Sequence, residues 1–388
     1  MSKIFDYCES LFDDIVALRR DLHMHPELGF EVDRTASIVA TELEKIGIKT
    51  KKCVGISGVT GDIEIPNVER RIALRADMDA LAIQEQKASP YKSKNNGKAH
   101  MCGHDVHTAM LIGAAKVINK FRNELRTSVR FIFQPNEENL ANGALSMIED
   151  GVLEDVDEIY ALHVWPSIEV GQFAICSGPT LSQGDSFNIE IIGKGGHGAH
   201  PNLTIDPILI ACQFVTNLQS IVARNLDPLE AGVISVTQIN AGTTFNIIPS
   251  KISISGTVRT LKKEIQGTIR ERVQEILAGC TSSHGADFNF SYREGVPVTH
   301  NHKLCVEKAL STAKPLTSEN NIFSPFPPLL ASEDFGYYSK KIPACYIFLG
   351  AGNKEKGIIN ACHDPEFDVD EECIKFGMAM HASLVLNT

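Results

Sequence analysis

Along the first half of the chain, short apolar runs alternate with longer stretches in which apolar residues recur every three or four positions. The apolar runs have the length of strands and occupy residues 72–76, 129–133 and 159–162. The periodic stretches have the spacing of amphipathic helices and occupy residues 11–22, 35–46 and 105–120. Strands that alternate with helices in this way predict an α/β sheet.

The order of the predicted elements changes after about residue 182. Strand, helix, strand, strand, helix and strand patterns then occupy residues 186–193, 206–223, 232–240, 251–260, 263–279 and 287–294. This βαββαβ order is that of the ferredoxin-like split unit, in which two helices cover a four-stranded sheet. Helix and strand patterns resume towards the C-terminus. We therefore predict a two-domain α/β chain, with residues 182–295 inserted into a domain formed by residues 1–181 and 296–388.

Length, charge and thiol content narrow the classes of function. A chain of 388 residues is long for one compact core and suggests two domains. The net charge of -11 argues against nucleic acid and anionic membranes as partners. No apolar run approaches the ~20 residues that span a bilayer, and the first residues do not resemble a secretion signal. Ten scattered cysteines without a CxxC motif predict free thiols and a cytoplasmic protein.

Side chains that bind metals or move protons stand beside several of the apolar runs. They are Asp77, Asp79, Cys102, His104, Asp105, Glu137, Glu138, His163 and His363. In α/β sheets, sites gather outside the carboxyl ends of the strands. Thiolate, imidazole and carboxylate ligands suit a borderline divalent ion such as zinc, or manganese, cobalt or nickel. Two adjacent glutamates allow one carboxylate to hold metal while the other acts as a base, as metal-assisted hydrolysis requires.

Each of these residues also has an ordinary structural interpretation. Most lone cysteines and histidines are structural, and adjacent glutamates are common on solvated helix faces. Asp77, Asp79 and Asp105 each fit two roles, either as ligands or as groups that orient the imidazoles. Asp105 also fits the role of a helix cap. The rival functions are a thiol hydrolase with Cys102 as nucleophile and a metal-binding scaffold protein with a degenerate site.

Short motifs spread over essentially the whole chain point to one family. They are HPELGF at residues 25–30, LRADMDA at 74–80, CGHD at 102–105, QP at 134–135 before the glutamates, GKGGHG at 193–198, FNIIP at 245–249, GTVR at 256–259, SEDF at 332–335 and HDPEF at 363–367. Together they resemble the aminoacylase–carboxypeptidase family of two-metal peptidases, in its amidohydrolase branch. That branch includes hippurate hydrolases, N-acyl-amino-acid amidohydrolases and indoleacetyl-amino-acid hydrolases.

The resemblance implies a metallopeptidase-like catalytic domain with two divalent metal ions per subunit and an inserted lid that usually dimerises. The implied metal ligands are Cys102, His104, Glu138, His163 and His363. Glu137 matches the general base of the family. In the lid, His197 matches a histidine that reaches the substrate carbonyl, commonly from the partner subunit. Asn246 matches a lid residue that also faces the substrate, and Arg259 matches an arginine that binds the substrate carboxylate.

These matches predict a metal-dependent amidohydrolase that cleaves N-acyl amino acids, with hippurate-like substrates, and forms a homodimer or higher homo-oligomer. The alternatives with the same chemistry are an N-acetyl-diaminopimelate deacetylase and a metallo-carboxypeptidase acting on short peptides. Two departures from the branch flank the glutamates, since Asn136 stands where it usually has alanine and Asn139 where it usually has glycine. Both leave the ligand positions intact and concern the fine substrate preference.

Overall fold

Strands and helices alternate through residues 3–139 and 143–387, the part of the chain that the computed structural model describes. The strands are β1 Lys49–Val54, β2 Gly58–Ile63, β3 Arg71–Asp77, β4 Ser128–Gln134, β5 Glu158–Glu169, β6 Phe173–Ala174, β7 Gly178–Leu181, β8 Gln183–Ile192, β9 Gly196–His197, β10 Gly232–Ala241, β11 Ile247–Ile248, β12 Lys251–Thr260, β13 Asp287–Arg293, β14 Thr299–Asn301, β15 Ile322–Phe323 and β16 Ala344–Gly352. The helices are α1 Lys3–Met24, α2 Asp33–Lys45, α3 His104–Lys120, α4 Gly143–Glu149, α5 Pro207–Arg224, α6 Lys263–Ser282, α7 Lys303–Ala313, α8 Gly336–Ser339 and α9 Cys373–Leu386. None of the helices in these two ranges is both long enough and apolar enough to cross a membrane.

The chain divides into two units. The first comprises Met1–Thr180, Thr299–Pro327 and Asp334–Thr388, and the second comprises Leu181–Val298 and Pro328–Glu333. The first unit is therefore discontinuous in sequence, with the second unit inserted into it.

An eight-stranded sheet forms the centre of the first unit, in the order β1-β2-β4-β3-β5-β16-β6-β15. Its four middle strands, β4, β3, β5 and β16, run parallel, and β2 and β1 continue the sheet in antiparallel fashion. Because β3 and β4 are parallel and α3 lies between them in sequence, the carboxyl ends of both strands lie at the same edge. This mixed sheet with its helices confirms the predicted α/β fold.

Two glycines allow α3 and α9 to approach each other closely. A Cβ atom on Gly113 of α3 would lie 2.3 Å from Sδ of Met378, and one on Gly377 of α9 would lie 1.6 Å from Sδ of Met110. Each methionine therefore fills the space that the opposite glycine leaves open. This reciprocal packing fixes the position of α3, whose first residue is His104.

The second unit has the predicted βαββαβ order. Its sheet has the order β10-β12-β8-β13 with every neighbouring pair antiparallel. Buried residues alternate along β12, and they share one apolar core with the inner faces of α5 and α6. This period of two is what a sheet with a single covered face requires. The ferredoxin-like topology expected from the sequence is confirmed.

One predicted boundary is wrong. The strand predicted at residues 159–162 was expected to end at His163, but β5 continues to Glu169. Strand β3 pairs with β5 only as far as Ala161, whereas β16 remains paired with β5 as far as Glu169, with an irregularity after Trp165. Pro166 lies at this irregularity, where a strand tolerates a residue that cannot donate a ladder hydrogen bond.

Candidate metal centre

A tight turn at the start of α3 presents Cys102 and His104. Gly103 between them has a φ of 90°, in the left-handed region that glycine adopts without strain. A Cβ atom at this position would also lie 2.3 Å from Cγ2 of Val164 on β5. Glycine is therefore required both by the turn and by its close approach to the strand that carries His163.

A hydrogen bond orients the imidazole of His104 so that one ring nitrogen remains available to a metal ion. Its Nδ1 lies 2.8 Å from the backbone oxygen of Asp79, and because a carbonyl oxygen only accepts, Nδ1 carries the proton. In the neutral ring, Nε2 is then the acceptor nitrogen, and it is buried without a hydrogen-bond partner among the described residues. It lies 3.7 Å from Oε1 of Glu138. Backbone hydrogen bonding of the second ring nitrogen is the usual arrangement of a metal-binding histidine.

The ring of His163 on β5 is oriented in the same way, by a hydrogen bond from Nδ1 to a backbone oxygen. Its Nδ1 donates to the backbone oxygen of Val164 at 2.8 Å, which leaves Nε2 as the acceptor. Nε2 lies 3.4 Å from the sulfur of Cys102. Burial, together with the neighbouring His107, lowers the pKa of His163 well below its ordinary value, so the ring is neutral and able to bind a cation.

His363 comes from the far end of the sequence. Its backbone has a φ of 70°, and its amide donates to the oxygen of Met101 at 2.6 Å. This bond ties the segment that contains His363 to the turn that contains Cys102. The ring Nε2 lies 3.5 Å from Oε1 of Glu138.

Two sets of donor atoms result, and they share one cysteine. Cys102, His104 and His163 form one set, and Cys102, Glu138 and His363 form the other; within each set the donor atoms lie within 4.8 Å of one another. Oε1 of Glu138, like Nε2 of His104, is buried without a hydrogen-bond partner in the described part of the chain. Because buried polar atoms without partners are costly, a cation between them fits this arrangement.

The charges of two ligands agree with this fit. Burial alone would raise the pKa of Glu138, but the nearby His363 and His104 outweigh it and lower the pKa, so the carboxylate is anionic. Burial alone would lower the pKa of His104, but the Asp77 carboxylate outweighs it and the pKa is raised. A divalent cation can therefore take the place of a proton at this site.

Asp79 binds three groups of the candidate site through its carboxylate and its backbone oxygen. Its carboxylate accepts the backbone amides of Glu137 and Glu138 at 3.0 and 3.2 Å, while its backbone oxygen accepts from His104. Of the two roles that the sequence left open for Asp79, the structure supports the orienting one. The carboxylate of Glu137 lies with Glu138 and His104 in a further cluster of possible donor atoms, all within 4.8 Å of one another.

In the second unit, His197 and Asn246 are neighbours although 48 residues separate them. Residue 197 is paired with Ile247 in the short β9–β11 ladder, and the amide of Gly198 donates to the oxygen of Asn246 at 2.9 Å. Nδ1 of the exposed His197 ring accepts from the amide of Ala199 at 3.0 Å. The proton of the neutral ring is therefore on Nε2, which is left as a donor.

Arg259, also in the second unit, is half-buried on β12. Its Nη1 donates to Oγ1 of Thr257 at 2.7 Å, and burial lowers its pKa. Within residues 3–139 and 143–387 no carboxylate forms an ion pair with it. A half-buried guanidinium that keeps free donors is suited to bind an anionic ligand.

A known family accounts for this combination of motifs. The model of Peptidase family M20/M25/M40 matches residues 73–387. The chain belongs to this family. The predicted family is thereby confirmed, and with it the prediction of a hydrolase that acts on amide bonds.

Two relatives and one solved structure are similar to this chain over most of their length. The N-acyl-L-amino acid amidohydrolase of Geobacillus stearothermophilus is 44% identical over 282 residues, which cover 73% of this chain and 76% of that protein. The N-acetylcysteine deacetylase of Bacillus subtilis (strain 168) is 38% identical, with 96% of both chains covered. A solved structure from Bacillus subtilis, a dinuclear metal-binding peptidase of the M20 family, matches with a TM-score of 0.86 and 34% identity over 98% of both chains.

Sequence analysis missed two residues of this M20-family site. His107 is buried on α3, and its Nε2 accepts from the amide of Val164 at 2.9 Å while Nδ1 donates to Asp77 at 2.6 Å. With both nitrogens hydrogen-bonded, His107 supports the position of Val164 and Asp77, and it also lies with Asp77 and His104 in a cluster of possible donor atoms. Its spacing of three residues from His104 on one helix was the available signal. Cys362 lies beside Cys102 and, together with burial, raises the pKa of that thiol; no sequence spacing indicated this contact.

Proposed function

We propose that this protein is a metal-dependent amidohydrolase that cleaves N-acyl amino acids, including hippurate-like substrates, to a carboxylic acid and a free amino acid. The observation that carries the proposal is the pair of donor sets that share Cys102, with the carboxylate of Glu137 beside them and needed by neither. The names of two relatives, an N-acyl-L-amino acid amidohydrolase and an N-acetylcysteine deacetylase, support the substrate class.

The metal content we propose is two divalent ions per subunit. Cys102, His104 and His163 would hold one ion, and Cys102, Glu138 and His363 the other. Mixed sulfur, nitrogen and oxygen ligands suit manganese, zinc, cobalt or nickel. Such ions supply Lewis-acid polarisation of the scissile carbonyl and acidify the attacking water.

Glu137 is the proposed general base. It takes a proton from the attacking water and later delivers a proton to the nitrogen of the leaving amino acid, so that the amide C–N bond breaks and a neutral amine departs. Its backbone is fixed by the hydrogen bond to Asp79, which limits the positions open to its carboxylate. This rigidity favours proton transfer over a short, constant distance.

We assign the catalytic role to residues 1–181 and 296–388 and the lid role to residues 182–295. In the lid, Nε2 of His197 is a donor suited to the oxyanion that develops on the substrate carbonyl, and Asn246 beside it offers an amide for the same substrate. Arg259 would bind the carboxylate of the amino-acid half through paired N–H groups.

The second unit also supports the proposal of a homodimer. Strand β10 is an edge of its sheet, and it contains no charged residue and no proline, the features that usually protect an exposed edge. Ile239 on this strand and Phe245 just after it are exposed, the latter completely. A second copy of the chain that pairs along this edge would cover these apolar side chains.

The thiols support a cytoplasmic location. All ten cysteines are free, although two of them, Cys102 and Cys362, are neighbours. Free and largely buried thiols are typical of a reducing compartment.

Metal removal and a substrate screen test the function. The purified protein would be incubated with benzoyl, acetyl, indoleacetyl and fatty-acyl amino acids and with a dipeptide, and the released amino acid would be measured. We expect cleavage of N-acyl amino acids that stops after dialysis against a chelator and returns with manganese, zinc, cobalt or nickel. Because Arg259 is proposed to bind the carboxylate, amidated substrates should be cleaved poorly.

Two results would contradict the proposal. Undiminished turnover in metal-free protein, with loss only after thiol alkylation, would favour a thiol hydrolase. Alkylation of metal-loaded protein would not separate the two mechanisms, because Cys102 is itself a proposed ligand. Faster cleavage of the dipeptide than of every acyl substrate would point to a carboxypeptidase.

A further inference from the structure

Helix α1 sends two basic side chains into the interior next to the metal centre. The guanidinium of Arg19 is fully buried, and its Nε donates to Oδ2 of Asp105 at 2.7 Å. Nδ1 of His23, one turn further along, lies 2.8 Å from the same oxygen. The other ring nitrogen of His23 lies 3.5 Å from Glu85. Both nitrogens of His23 thus face carboxylates, an arrangement in which both act as donors.

Asp105 is the residue directly after the proposed ligand His104, and its Oδ2 accepts hydrogen bonds from Arg19 and His23 of α1. It does not cap α3, because the N-cap position is Gly103 and no side-chain cap bond is formed there. Of the roles left open for Asp105 by the sequence, orientation of the neighbouring segment is therefore the one that its contacts support.

Arg19 also reaches a second segment of the site. Its Nη1 donates to Oε1 of Glu371 at 3.2 Å, eight residues beyond the proposed ligand His363. That segment is anchored further by Lys87, which donates to Asp368 at 2.6 Å. One buried guanidinium thus connects the turn that carries Cys102 and His104 with the segment that carries His363.

This connection matters for one donor set in particular. In the set of Cys102, Glu138 and His363, Cys102 lies on one of the segments that Arg19 joins and His363 lies on the other. In the other set, Cys102 and His104 lie on the same turn. A fully buried guanidinium is costly unless its donors are satisfied, so its contacts hold the two segments at a narrow range of separations. Metal affinity is sensitive to such separations because the ligand distances must be met closely.

We propose that Arg19 and His23 are positioning residues for the metal centre. Arg19, through Asp105 and Glu371, holds the Cys102–His104 turn at the distance from His363 that the second donor set needs. His23 supports it by binding the same oxygen of Asp105. The inference rests on the proposed function, since it takes Cys102, His104 and His363 to be metal ligands.

The neighbouring Arg20 provides a matched control. It shares the partner Glu371, to which its Nε and Nη2 donate at 3.0 and 2.6 Å, and like Arg19 it lies over the ring of Tyr91. No hydrogen bond or ion pair joins it to Asp105. Arg20→Met therefore removes a cation and a Glu371 contact from the same helix while the contacts of α1 to Asp105 remain.

The test measures the affinity of the full-length, metal-free protein for zinc by competition with a chromophoric chelator. Wild-type protein should bind two equivalents. Arg19→Met should weaken one of the two equivalents by about 10–100-fold, the usual effect of a residue that supports a ligand, and excess zinc should restore turnover. Arg20→Met removes contacts to Glu371 but none to Asp105, so it should weaken that equivalent clearly less than Arg19→Met does. His23→Gln should weaken the same equivalent and serves as the test if Arg19→Met does not fold.

The outcomes separate the two proposals. Wild-type affinities in Arg19→Met and His23→Gln, with only a lower thermal stability, would show a purely structural network and overturn the positioning role. An equal loss of affinity in Arg20→Met would also overturn it, because the effect would then not depend on Asp105. A wild-type protein that binds no zinc, manganese, cobalt or nickel would instead overturn the proposed function itself.

Discussion

At the scale of single residues, Glu137 and Glu138 follow one another in the chain, and both of their amides donate to the carboxylate of Asp79. Both residues lie in a bend that follows β4. Oε1 of Glu138 points to the interior, close to His104 and His363. The two carboxylates therefore belong to different parts of the proposed reaction, although their chemistry is identical.

Substitution of each glutamate by glutamine should separate these parts. Glu137→Gln keeps the size of the side chain but removes the base, so we expect normal metal content and a turnover lower by roughly 10²–10⁴. Glu138→Gln weakens a ligand, so metal content should fall together with turnover. Metal content would be measured by atomic emission and turnover with a benzoyl amino acid. Near-normal turnover in Glu137→Gln would show that the roles are assigned wrongly.

At the scale of elements, the helices and strands with clear apolar periodicity were predictable. Helix α3 was expected at residues 105–120 and is found at His104–Lys120. The β1–β2 hairpin was missed, because β1 is almost entirely exposed and carries Lys49, Lys51 and Lys52 in place of an alternating pattern. An edge strand of this kind has little apolar signal, since its charges serve to keep the edge unpaired.

The candidate site could be predicted only in part. Its proposed ligands follow from short motifs, in which the spacing along the chain carries the signal. Other contacts join segments that are distant in sequence, or depend on which ring atom faces inward. They are Arg19 with Asp105, Cys362 with Cys102 and His107 with Asp77. Such contacts depend on the packing of whole elements, and residue spacing alone does not specify them.

The packing of α3 against α9 leads to a prediction about glycine. In an open helix, replacement of glycine by alanine stabilises by roughly 0.5–1 kcal/mol. Gly267 of α6 has no atom within 4 Å of its missing Cβ, so Gly267→Ala should raise the free energy of unfolding by about this amount. Gly377→Ala would place a Cβ against Met110 and should lower it by about 1–3 kcal/mol, the usual cost of overpacking.

Urea unfolding followed by circular dichroism would measure both glycine variants. The opposite signs are the essential result, because helix propensity alone would make both substitutions favourable. If Gly377→Ala were as stable as Gly267→Ala, Met110 would have to move aside without cost. The contact between α3 and α9 would then leave room for an added methyl group.

At the scale of the whole molecule, the proposed dimer raises the question of which subunit supplies His197. Chains carrying Glu137→Ala and chains carrying His197→Ala would be co-expressed, each inactive as a homodimer. If His197 serves the partner's site, every mixed dimer contains one site with both residues intact, and random pairing restores about a quarter of wild-type sites. Purification with two different affinity tags would establish that mixed dimers are present. Background activity in such dimers would reject the cross-subunit arrangement.

The order of the ligands along the chain has a consequence for biosynthesis. Cys102, His104 and His163 are all translated before the inserted unit, whereas His363 follows 200 residues after His163. At ordinary rates of synthesis this interval lasts roughly 10–40 s. A ribosome-bound chain can thus present the first donor set to a cation while the second is still incomplete. For the proposed two-ion site we therefore expect the set of Cys102, His104 and His163 to be available to a cation before the set that needs His363.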